Sequence, residues 1–146
     1  MDAVLENARS QLVAIEAAER LRETFRVVSL FLEDPQRSLR SAQQSREYDE
    51  HRQIKSGSGR LERHRARETL LLSIPACLAI SQRLNELTLT IAHFQPSTNH
   101  EDGDRLLTQV LQSGPSIVEC AAHVSNALNV IKGREKMLQK PFTPTL

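Results

Sequence analysis

Between residues 3 and 33 the apolar side chains Leu5, Ala8, Leu12, Ile15, Ala18, Leu21, Phe25, Val28 and Leu32 recur at steps of three and four. That step returns side chains to one side of a helix. The spacing predicts a long amphipathic helix from Ala3 to Glu33 with those residues as its inner face. No glycine or proline interrupts it, and its Ala, Glu, Arg and Leu content agrees with the pattern. Asp34-Pro35 ends it, because the proline ring restricts the preceding residue and removes a backbone donor.

From Gln36 to Lys55 the apolar content falls to Leu39, Ala42, Tyr48 and Ile54, so a helix here has little to bury. Ser56-Gly57-Ser58-Gly59 reads as a short flexible joint, and Ser41 to Gly59 as the most mobile internal stretch. The helical step returns at Arg60 and is cleanest at Cys77, Ile80, Leu84, Leu87, Ile91 and Phe94. Leu70 lies seven residues before Cys77 and continues that stripe. One helix from Arg60 to Phe94, kinked at Pro75, is therefore predicted over two helices broken at Ser73-Ile74.

Gln95 to Gly103 has loop chemistry. Asp104 is the expected N-cap of a short helix bearing Leu106, Leu107, Val110 and Leu111, closed by Gly114. Pro115-Ser116 then opens a last helix with Ile117, Ala121, Val124, Leu128, Ile131 and Leu138 on one face. Lys132, Arg134, Lys136 and Lys140 near its end suit the helix dipole. The tail from Pro141 to Leu146 is expected to be disordered. The fold class is thus all-α: an antiparallel bundle of four to five helices with a long N-terminal helix and a proline-kinked second long helix, one domain over residues 1–140.

Composition narrows what such a bundle can do. A hydrophobic fraction of 39% and a charged fraction of 25% suit a globular chain of 146 residues with its own core. The formal net charge of +1 gives no long-range attraction for polyanions. Phe25, Phe31, Phe94, Phe142 and Tyr48 are the only aromatic residues, too few for base-stacking platforms. Met1 to Ser10 carries Asp2 and Glu6 in place of a basic start and an apolar run, so an intracellular protein, cytoplasmic or nuclear, is expected. Leu70 to Ile80, the most apolar stretch, is about half the length a membrane-spanning helix needs.

Catalytic and metal signatures are absent from the sequence. The five histidines include no pair at one-turn spacing, and there is no HExxH, CxxC, GxSxG or phosphate-cradling glycine loop. The acidic run His100 to Asp104 lacks the alternating oxygen ligands of a calcium loop and reads as a solvated turn and helix cap. Cys77 and Cys120 sit in apolar helical patterns and are expected to be reduced core thiols. No cofactor or metal is expected.

The local charge feature is Arg60, Arg63 and Arg67, which share a helical face, with Glu62 and Glu68 interspersed. It reads first as a solvated face and second as a contact for an acidic partner. The expected function is a non-catalytic protein–protein interaction module, a small subunit or adaptor. Its partner residues would be Phe25, Val28 and Leu32, on an apolar stripe longer than the short Asp104-to-Ser113 helix can cover, and the Arg60, Arg63 and Arg67 face. The occupant would be a protein partner or a second copy. The rivals are a regulatory domain touching nucleic acid or another polyanion through the arginine face, which the net charge disfavours, and a small helical enzyme or ligand carrier.

Overall fold

The computed structural model describes residues 2–40 and 57–139. Helix α1 runs Asp2–Glu33, a helical segment α2 occupies residues 35–40, α3 runs Gly57–His93 and α4 runs Glu101–Gln139. The described residues contain no strand. The fold is the expected all-α bundle, and its three long helices, at about 1.5 Å per residue, each extend on the order of 50 Å.

The boundaries follow from local chemistry. Asp34 breaks α1, and its Oδ1 accepts the backbone N–H of Arg37 at 3.3 Å, capping α2 with Pro35 as its first residue. Pro75 lies inside α3 without dividing it, as the Leu70-to-Cys77 register requires. Gly57, Ser58 and Gly59, expected as a joint, belong to the first turn of α3. The first N–H groups of a helix lack intrahelical partners anyway, so glycine is less costly there than in the interior. The rest of that expected mobile stretch, residues 41–56, and the expected tail lie outside the described residues.

The predicted pair of C-terminal helices is in fact one: α4 passes through both Gly114 and Pro115. Its seam explains why. Gly103, Val110, Ile117, Val124 and Ile131 recur every seven residues and are all buried, so register is unbroken across the proline. Packing along both neighbours offsets the backbone hydrogen bond that Pro115 removes. Leu70, Cys77, Leu84 and Ile91 form the matching seam of α3.

Three contacts set the direction of the helices. Asn7 meets Gly103, Leu21 lies against Gly114, and Phe31 shares a groove with Leu128. Accordingly α1 and α4 run side by side in the same sense, with α3 antiparallel between them in the chain. Phe25, Val28, Phe31, Leu70, Cys77, Ile117 and Val124 anchor one core cluster, which Leu39 of α2 joins. Ala14, Ala18, Leu87, Ile91, Leu106 and Val110 form a second, nearer the α3–α4 connection.

The inner face of α1 departs from expectation in its first half. Ala3, Asn7, Ala14 and Ala18 are buried, whereas Leu5 and Leu12 are 53% and 61% exposed. The true seam is Asn7, Gln11, Ala14, Ala18, Leu21, Phe25, Val28 and Phe31, with Leu32 of the expected stripe only half-buried. Two of its members are polar because they tie down the α3–α4 connection. Asn7 Nδ2 donates to the carbonyls of Ser97 (2.9 Å) and Asn99 (2.8 Å), and its Oδ1 accepts the Gly103 N–H at 2.9 Å. One turn on, Gln11 Nε2 donates to the carbonyls of Ile91 (3.0 Å) and Phe94 (3.1 Å). The N-cap of α4 is consequently Asn99, not Asp104: its Oδ1 accepts the Glu101 N–H at 3.0 Å and its carbonyl the Asp102 N–H at 3.2 Å.

This closeness makes opposite demands on two glycines of α4. A methyl at Gly103 would lie 2.7 Å from Asn7 Oδ1 and 2.9 Å from Ser10 Cβ, whereas at Gly114 the nearest atom, Leu21 Cδ2, is 3.8 Å away. Gly114→Ala should stabilise the protein by about 0.5–1 kcal/mol through helix propensity. Gly103→Ala should destabilise it by about 1–3 kcal/mol, because the neighbouring backbone must move. Urea melts of the two variants check this; equal shifts would refute the close approach at Gly103.

Candidate functional site

The apolar partner residues expected from the sequence are buried or half-buried. Phe25 and Val28 are 1% and 0% exposed, and Leu32 is half-buried against the same cluster. Ile117, Val124 and Leu128 of α4, on the inner face predicted for the last helix, join the same cluster, so the chain itself covers this stripe. A groove of about 420 Å³ lies between α1 and α3. Phe25 and Leu84 line it together with Glu19, Arg22, Glu23 and Arg26, so charged side chains share its walls with apolar ones.

On the arginine face, Arg63 and Arg67 are both half-buried one turn apart on α3, and the Arg60 side chain lies outside the described residues. Arg67 approaches Glu68 at 3.8 Å, and its Nε is buried with no hydrogen-bond partner among the described residues. A guanidinium packed by its stem in this way presents less of itself to a phosphate than a fully exposed one does.

An apolar groove lies between α3 and α4. It has a volume of about 510 Å³ and is lined by Thr69, Leu72, Ser73, Ala76 and Ile80 from α3 and by Ser116, Glu119, Cys120, His123 and Val124 from α4. Its positions flank the two seams, so the groove runs along the junction of the helices. Leu72 on its wall is 77% exposed, the most exposed of the large apolar side chains among the described residues. Glu119 and His123 pair at 3.6 Å on the rim, both largely exposed.

Beneath the groove the two cysteines meet: Cys77 Sγ lies 3.6 Å from Cys120 Sγ, both thiols free. Cys77 is fully buried and Cys120 half-buried. Burial first, then the hydrogen bond and charge of Cys77, push the Cys120 thiol up to about 12. A thiol so placed stays protonated near neutrality and is a poor nucleophile.

The triple leucine Leu70-Leu71-Leu72 carried a signal of this groove. Successive helical residues are about 100° apart, so when Leu70 points to the core Leu72 must point away. Among the described residues, no group of three or more His, Cys, Asp or Glu side chains is gathered to hold a metal ion, and no helix is long and apolar enough to cross a membrane. No protein-family model, curated protein or solved structure matches the chain.

Proposed function

We propose that this chain is a non-catalytic, intracellular helical interaction module, a small subunit or adaptor, whose docking face is the α3–α4 groove. The observation that carries the reading is Leu72, 77% exposed on the wall of a groove that Ala76 and Ile80 also line. Contiguous apolar lining on a surface is costly to leave in water, and a groove between parallel-sided helices accepts the apolar face of a third. The occupant is an amphipathic helix, supplied by a partner protein or by a second copy of the chain. The protonated state of Cys120 and the open groove favour binding over catalysis.

Leu72→Glu combined with Ala76→Glu tests the reading, because both side chains are exposed and the variant should keep its helix content and melting temperature. Sedimentation across a concentration range, together with capture of partners from the source cell by wild type and variant, reads the outcome. The variant should lose self-association, or lose a protein that wild type retains. Identical behaviour of the two proteins in both measurements would overturn the proposal.

A further inference from the structure

The chain has only two cysteines, and the fold brings them together from α3 and α4 across a sequence separation of 43. Their sulfurs are 3.6 Å apart with no covalent bond between them. Their exposures differ in a useful way: Cys120 lines the α3–α4 groove, open to a small oxidant, whereas Cys77 is 0% exposed behind it. An oxidant therefore reaches Cys120 first, and the only other thiol in the chain is already in contact with it.

We propose that Cys77 and Cys120 are a latent redox staple, closed by a hydroperoxide into an intramolecular disulfide that ties α3 to α4 under the groove. In the first step the Cys120 sulfur, its proton lost to water, attacks one peroxide oxygen. The O–O bond breaks and the displaced hydroxide leaves as water, giving a sulfenic acid at Cys120. In the second step the Cys77 sulfur attacks the Cys120 sulfur, the S–O bond breaks, and the departing hydroxide takes the Cys77 proton as a second water. Two thiols and one hydrogen peroxide become one disulfide and two waters, the two sulfurs together giving two electrons to the peroxide oxygens. The inference is independent of what occupies the groove.

The environment makes the staple slow and hence selective for sustained oxidation. Thiolate is the attacking species, and the Cys120 thiol is pushed up to about 12, so little of it is present near neutral pH. The titratable groups around it are Cys77 on α3 and Glu119 and His123 on its own helix. Closing a loop of this length by a crosslink restricts the unfolded chain, and the native sulfurs need only a small approach.

The experiment treats the full chain with hydrogen peroxide in mildly alkaline buffer, blocks remaining thiols with an alkylating reagent and reads mass and melting temperature. Both thiols should disappear together, the mass should fall by two hydrogens with no added oxygen, and peptide mapping should join Cys77 to Cys120 within one chain. The melting temperature should rise by roughly 10 °C and return on reduction. In Cys77→Ser, oxidation should instead stop at Cys120 oxygen adducts. Two thiols still open to alkylation, oxygen adducts without a crosslink in wild type, disulfides between chains, or a lower melting temperature in the bridged form would each overturn the staple.

Discussion

Val28→Asp should abolish the cooperative fold at neutral pH. Val28 is 0% exposed and belongs to the cluster of Phe25, Leu70, Ile117 and Val124, where no described cation or donor stands ready for a carboxylate. Burying an unpaired charge costs several kcal/mol even after relaxation, and the lost valine contacts add to it. That total is comparable to the whole stability of a domain, about 5–15 kcal/mol. Val13→Asp is the matched control on the same helix, because Val13 is 52% exposed and should melt like wild type. Circular dichroism melts compare the two, and sedimentation reports any change of assembly. A Val28 variant that keeps its fold while losing only association would return this stripe to the surface and refute the core described here.

Asn7→Ala should cost roughly 3 kcal/mol or more, the largest effect expected of any polar substitution. The side chain is 1% exposed and satisfies three backbone groups at once, the carbonyls of Ser97 and Asn99 and the N–H of Gly103. Each backbone group left unpaired away from water costs about 1–3 kcal/mol. Asn7→Asp should be no rescue despite its equal size, since a carboxylate has no N–H to give the two carbonyls and places a negative charge against them. Gln11→Ala should cost less, as Gln11 is half-buried and water can reach the carbonyls of Ile91 and Phe94 more readily. Denaturant melts rank the three variants, and hydrogen exchange should show the loss of protection beginning at the first turn of α4. Equal stability of Asn7→Ala and wild type would show that the connection is held by other contacts.

These two residues also mark where sequence reading succeeded and where it slipped. Phe25, Val28, Leu70, Cys77, Leu84, Ile91, Ile117 and Val124 were all on predicted inner faces, because in those stretches burial and apolarity coincide. Before Ala18 they do not coincide. Asn7 and Gln11 occupy the seam, so a search for apolar residues moved one position along, onto Leu12 and Ile15. Nothing in a polar side chain announces that it will be buried; that depends on backbone groups about 80 or more positions away in the chain. The same limit hid the α3–α4 groove, since Leu72 and Cys120 belong to different helices and become one groove only when the seams pair.

Helical periodicity, the Asp34-Pro35 stop and the continuous Leu70-to-Ile91 register by themselves determined an all-α bundle with two of its long helices, because these are local properties of a chain with a period near 3.6. Whether Gly114-Pro115 ends a helix was decided by tertiary structure: seam contacts on both sides of the proline outweigh its local preference. Tertiary structure likewise chose which stripe is core. Phe25 and Val28 look the same in sequence whether they meet a partner or the chain's own α4, and only the pairing of the seams sets Ile117 and Val124 against them.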